Sequence, residues 1–97
     1  MVRDYEAMYI IQPVLEEEAK KAVIEKFQKL VESSKDGKVV SVDEWGKRRL
    51  AYEVDKKSEG HYVLMNFSAE PAFIDEMTRI FKITDDVLKY LIVKKEK

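Results

Sequence analysis

Residues 45–54 read WGKRRLAYEV, and three consecutive cations, Lys47, Arg48 and Arg49, stand there between a Trp-Gly pair and a run of strand formers. Cations held on a strand either line a solvated edge that resists pairing with another chain or donate to phosphates. Two more, Lys56 and Lys57, follow in the same segment, with Tyr52 and Tyr62 on either side of them. Phosphate donors beside rings able to stack on bases are the combination that RNA-binding sheets use. Other chemistry is thinner. His61 is the one histidine and cysteine is absent, so neither a transition-metal site nor a His-based catalytic pair has an evident assembly. Asp85 and Asp86 are adjacent carboxylates, but a charged turn leading into a last strand accounts for them. Gly37, Gly46 and Gly60 are isolated, so no phosphate-cradling loop is formed. The expectation is a binding protein with no cofactor, no metal and no small-molecule substrate, and not an enzyme.

The chain as a whole is not basic. Its 97 residues carry 18 Lys and Arg against 19 Asp and Glu, a formal net charge of -1. Long-range attraction for a polyanion is therefore weak, and any RNA contact must rest on local patches. This length suits one domain, residues 1–97, with a single two-layer core. Absent cysteine removes disulfides and thiolate nucleophiles and suits a cytoplasmic protein. No apolar stretch approaches the roughly 18 to 20 residues of a membrane span, and MVRDYEAMYI lacks the apolar region and cleavage site of a signal peptide. A soluble intracellular protein with no membrane contact is expected.

The elements that must hold these residues follow from periodicity. Tyr5, Ala7, Tyr9 and Ile11 share one face of a strand, Glu6, Met8 and Ile10 take the other, and Gln12-Pro13 ends it. Apolar residues at 15, 19, 22, 23, 27, 30 and 31 predict a helix over Leu15 to Val31, with Glu16, Glu17 and Glu18 in its first turn and its end near Ser33. Val39 to Val54 reads as a strand interrupted at Gly46, DKKSEG as a turn, and His61 to Ala69 as the returning strand. Sixteen extended residues would span roughly 50 Å, about twice the width of so small a domain, so the hairpin must bend or protrude, with a bulge at Gly46. Pro71 suits a helix's first turn, and Phe73, Ile74, Met77, Ile80 and Phe81 continue that helix to about Ile83. Val87 to Val93 closes as a strand with Leu88, Tyr90 and Ile92 on one face and Val87, Lys89, Leu91 and Val93 on the other.

This order predicts an α+β fold of the ferredoxin-like split-βαβ plan (βαββαβ), a four-stranded antiparallel sheet with both helices on one face. The uncovered face would carry Met8, Ile10, Tyr62, Leu64, Leu91 and Val93, an apolar surface of the kind that marks interfaces.

The stretch EWGKRRLAYEVDKKSEGHYVLMNF, Glu44 to Phe67, together with RDYEAMYIIQP at the start, resembles the bacterial ribosomal small-subunit protein six family. That family's pattern has a glycine, a basic pair and Leu-Ala-Tyr, then a turn and Gly-x-Tyr or Gly-x-Phe; the likeness runs from about Arg3 to Lys94. The resemblance implies a cytoplasmic, structural constituent of the small ribosomal subunit. It implies binding to the central domain of small-subunit ribosomal RNA, after protein fifteen has organised the junction, as a pair with ribosomal small-subunit protein eighteen. A near-neutral chain releases few counterions, so a basic partner would supply much of the electrostatic attraction. Family members often carry a longer C-terminal tail, whereas this sequence stops at Lys97, which shifts the expected partner contacts to the sheet face and hairpin.

The expected RNA contacts are Arg3, Lys47, Arg48, Arg49, Lys56, Lys57, Lys89 and Lys94, and the expected partner contacts Met8, Ile10, Tyr52, Tyr62, Leu64 and Leu91. The alternative is a free RNA-recognition domain acting as a regulator. Such a domain needs rings on both central strands, and the first strand's open face offers Glu6, Met8 and Ile10 instead. A hydrolase on this fold would need a glycine-rich, arginine-bearing loop after the first strand, which the sequence lacks.

Overall fold

The computed structural model describes the backbone of residues 1–54 and 57–95 and the side chains of residues 1–46 and 59–95. Its elements are β1 (Arg3–Ile11), α1 (Glu17–Ser33), β2 (Lys38–Val54), β3 (Lys57–Ala69), α2 (Phe73–Ile83) and β4 (Val87–Lys94). The strands form one antiparallel sheet in the order β2-β3-β1-β4, the ferredoxin-like plan.

Alternation along β1 buries Tyr5, Ala7, Tyr9 and Ile11, and the facing alternation on β3 buries Val63, Met65, Phe67 and Ala69. Onto this face α1 lays Val23, Ile24, Phe27 and Val31, and α2 lays Phe73, Met77 and Phe81. One detail of the expected helix stripe is corrected: Ala22 is exposed and Ile24 is buried, because the stripe that meets the sheet runs through 20, 23, 24, 27 and 31. The helix also begins at Glu17, with Glu16 as N-cap, so Leu15 packs from the preceding loop.

Four rings tie the layers together. Phe27 and Phe81 stack at 4.2 Å, Tyr9 lies 5.3 Å from each, and Tyr90 stacks on Phe81 at 5.0 Å. The cost of this packing falls on the Tyr9 hydroxyl, which is buried with no hydrogen-bond partner among the described residues. Burial pushes the Tyr9 phenol well above its ordinary range, and the nearby Glu44 carboxylate pushes the same way. A folded-state pKa above the unfolded value leaves stability intact below about pH 10 and removes it as pH rises further, because only the unfolded phenol ionises readily. Tyr9→Phe is therefore expected to gain up to about 1–2 kcal/mol near neutral pH, by deleting an unsatisfied hydroxyl. It should also lose stability less steeply above about pH 10. Urea unfolding of both proteins at neutral and alkaline pH checks this, and a clear loss at neutral pH would mean that the hydroxyl has a partner.

The long hairpin bends as expected. The molecule measures 39 × 26 × 22 Å, and the β2 register slips against β3 at Val39/Ser41, Glu44/Gly46 and Arg49/Val54. Each slip adds residues to β2 alone, which curves a strand and increases its twist. At the middle slip Gly46 has φ 78, a left-handed conformation that costs an L-residue about 1–2 kcal/mol. A Cβ there would meet nothing within 4 Å, so conformation and not crowding sets the cost. Gly46→Ala is expected to lose about 1 kcal/mol in urea unfolding and Gly46→Asn less, since Asn tolerates this region.

The expected DKKSEG turn is corrected too, because β3 begins at Lys57, while Asp55 and Lys56 lie outside the described residues. β4 departs from simple alternation. Ile10 pairs with Lys89 but Ile11 with Val87, so Leu88 is an extra residue. Val87, Tyr90 and Ile92 consequently pack on the core, and the expected inward place of Leu88 goes to Val87. Asp85 and Asp86 form the turn before this strand, and Gln12 clamps it: its backbone N–H donates to the Asp86 carbonyl at 2.9 Å and its Nε2 to Asp86 Oδ1 at 2.7 Å.

Candidate interface on the open sheet face

The middle of the face away from the helices is built from three cross-strand rows. Ser41, Asn66, Glu6 and Val93 form one, Asp43, Leu64, Met8 and Leu91 the next, and Gly46, Tyr62, Ile10 and Lys89 the third. Met8, Leu64 and Leu91 meet in the middle row as an apolar centre. Leu91 is 54% and Val93 46% exposed, large values for apolar side chains on a strand. Met8, Tyr62 and Leu64 are half-buried. Ile10 lies on this face but is only 4% exposed, so its expected availability to a partner is corrected: it sits on a central strand between Tyr62 and Lys89.

Polar groups rim the apolar centre. Ser68 Oγ donates to Asp4 Oδ1 at 2.7 Å, Asn66 Nδ2 donates to Ser41 Oγ at 3.0 Å, and Lys95 Nζ stands 4.0 Å from Glu6. Asn66 Oδ1 is buried without a hydrogen-bond partner among the described residues. The rim carries charges of both signs, Asp4, Glu6 and Asp43 with Lys38 opposite Ser68, Lys89 opposite Ile10 and Lys95 against Glu6, and Asp43 is its acid on the β2 side.

Trp45 was absent from the expected site. It is 43% exposed, and its ring lies 6.5 Å from that of Tyr62 with the planes 9° apart. The sequence signal was the Trp-Gly dipeptide itself, since a bulge at Gly46 makes Trp45 the extra residue opposite the Val63–Tyr62 step. Tyr62 is the only one of this ring pair on a central strand, and β1 sends both its tyrosines to the core.

The expected RNA-binding cations are not gathered in one place. Lys47, Arg48 and Arg49 occupy β2 opposite His61, Gly60 and Glu59, and Lys57 opens β3 opposite Val54. The side chains of these four and of Tyr52 lie outside the described residues, as does Lys56 altogether. Arg3 pairs with Ala69 and Lys94 with Tyr5, both exposed, at the opposite end of β1. The eight steps from Arg3 to Ile11 separate the two ends by about 27 Å. Lys89 is exposed and nearer the hairpin end, opposite Ile10.

His61 faces the helix side, buried, with Nε2 3.2 Å from Glu44 Oε1. Glu44 precedes the Gly46 slip, so this contact holds β2 to β3 just where the register shifts. No helix of the described residues is long and apolar enough to cross a membrane.

A ferredoxin-like sheet with helices on one face and an apolar surface with a charged rim on the other defines a small binding module, with its residues arranged for contact. Comparison with known proteins makes the class particular. The family model for Ribosomal protein S6 matches residues 4–94, and the chain belongs to that family. It is 50% identical over 93 residues to the small ribosomal subunit protein bS6 of Caldanaerobacter subterraneus subsp. tengcongensis, covering 96% of this chain and 97% of that one. The bS6 of Desulforamulus reducens is 52% identical over the same shares of each chain. The crystal structure of 30S ribosomal protein S6 from Thermotoga maritima aligns with TM-score 0.92 at 28% identity, covering 98% of this chain and 89% of that one. The protein is thus a structural constituent of the small ribosomal subunit and not an enzyme.

Proposed function

We propose that the protein binds the central domain of small-subunit ribosomal RNA together with ribosomal small-subunit protein eighteen. In this reading the open sheet face takes the partner protein, and the basic residues at the two ends of the sheet take RNA phosphates. The observation that carries it is the apolar row through Leu64, Met8 and Leu91, most exposed at Leu91, left uncovered by both helices and bordered by charges of both signs. Such a surface suits a protein partner with apolar side chains, since its centre offers a bare phosphate backbone neither donors nor positive charge. RNA affinity then comes mainly from the partner's charge, as a net charge of -1 requires.

Isolated protein is expected to bind a central-domain RNA fragment at micromolar range or weaker at physiological salt. Adding protein eighteen should tighten binding at least about tenfold, roughly 1.4 kcal/mol. Filter-binding titrations with and without the partner test this; tight binding by the isolated chain, unchanged by the partner, would refute it.

A second expectation concerns the basic block. Three consecutive cations on a strand cannot all be buried without paired acids, so changing Lys47 and Arg48 to Ala should move the unfolding free energy by less than about 1 kcal/mol. The same change should weaken assembly on RNA and flatten its salt dependence. A sharp drop in melting temperature with RNA assembly unaltered would assign these residues to the fold instead.

A further inference from the structure

One feature of the open face is not explained by its apolar centre: an accessible indole held parallel to a second ring. The register slip makes it possible, because Glu44 pairs with Val63 and Gly46 with Tyr62, leaving Trp45 as the extra residue. Trp45 remains 43% exposed, 6.5 Å from Tyr62 and 9° from parallel. Asp43, exposed and in register with Leu64, lies two residues earlier on the same strand and therefore on the same face. Among the described residues its carboxylate has no ion-pair partner.

A held, exposed indole beside an exposed carboxylate fits one chemical group closely. A guanidinium is planar and weakly hydrated; it stacks flat on an aromatic face while its edge donates N–H bonds to a carboxylate. A nucleobase would also stack on Trp45, but its phosphates would approach Asp43, and like charges disfavour that. We propose that an arginine side chain of the basic partner protein stacks on Trp45, braced by Tyr62, and donates to Asp43, anchoring one corner of the interface. This rests on the reading of the open face as the partner-binding surface.

Trp45 is the only tryptophan, so the chain's indole emission reports on this site alone. The experiment titrates purified protein eighteen into the wild-type chain, Trp45→Leu and Asp43→Asn, following calorimetric heat throughout and Trp45 emission where it is present. Circular-dichroism melts of both variants confirm that they fold, as substitutions at exposed positions should allow. Wild-type emission is expected to change with the same midpoint as the heat, and each variant to bind about tenfold more weakly. The double variant should lose clearly less than the product of the two, because both groups hold the same guanidinium. Arginine-to-lysine changes in protein eighteen, made one at a time, should find one whose effect vanishes in the Trp45→Leu background. Unchanged affinity in both variants while wild type binds would overturn the arginine contact and leave the open-face reading standing. Absence of any binding by wild type would overturn that reading and the contact with it. Quenching of Trp45 by central-domain RNA alone, without partner, would assign the ring to a nucleobase and overturn the proposal.

Discussion

Phe81→Ala is expected to cost about 3–5 kcal/mol and to leave a large fraction of the protein unfolded at physiological temperature. Phe81 is 2% exposed and is the hub of the core, touching Phe27 of α1 at 4.2 Å, Tyr9 of β1 at 5.3 Å and Tyr90 of β4 at 5.0 Å. Truncation removes the transfer free energy of a benzyl group and opens a cavity among three rings pinned to three different elements, so the site has little freedom to collapse. The neighbouring Ile83 supplies the contrast. It lies on the same helix but is 62% exposed, so Ile83→Ala should stay within about 0.5 kcal/mol. Urea unfolding of the two variants side by side checks this. A loss under about 1 kcal/mol for Phe81→Ala would show that the ring cluster is not the centre of the core.

Leu91→Asp is expected to leave the fold unchanged and to weaken binding of protein eighteen at least about a hundredfold. The leucine is 54% exposed on an edge strand, with Met8 as its one register neighbour, so the free protein loses little when it becomes polar. In a complex that covers the face, the carboxylate would be buried opposite Met8 without a partner, which costs several kcal/mol. Leu64→Asp is a less clean probe. Leu64 is half-buried on a central strand directly opposite Asp43, where a second carboxylate would repel the first and destabilise the sheet itself. Calorimetric titration together with a melting curve separates the two effects. Retained affinity in Leu91→Asp would move the partner to another surface.

Much of the fold could be read residue by residue. Alternation from Tyr5 to Ile11 sorted β1 into a core face and an open face, and the structure keeps that sorting. The stripe Phe73, Met77, Phe81 defined α2 to its last residue, Ile83. The need for a bend in so long a strand, expected over Val39 to Val54 and observed over Lys38–Val54, and its location at Gly46, followed from length and from the residue type that accepts a left-handed backbone. The site was less legible. Ile10 was expected to be available and is buried, because its exposure depends on Tyr62 and Lys89, which come from strands far away in the chain. Leu88 and Val87 exchanged roles because a single extra residue in a ladder reverses alternation on one side of it, and nothing local marks that slip. Trp45 does not stand out as a site residue in the sequence for a related reason: its ring is held by Tyr62, which only the hairpin register delivers.

By itself the sequence determined which residues prefer a core, the number and order of helices and strands, the near-zero net charge and the absence of cysteine chemistry, all of which are local or additive properties of the chain. Tertiary structure alone decided which open-face side chains remain exposed, that Trp45 stands over Tyr62 beside Asp43, and that Arg3 and Lys94 lie at the far end of the sheet from Lys47, Arg48 and Arg49. The physical reason is that exposure, ring stacking and the spacing of charges are pair properties of residues distant in sequence. In a sheet they are set by strand order and register, and a slip of one residue changes them while leaving the local pattern the same.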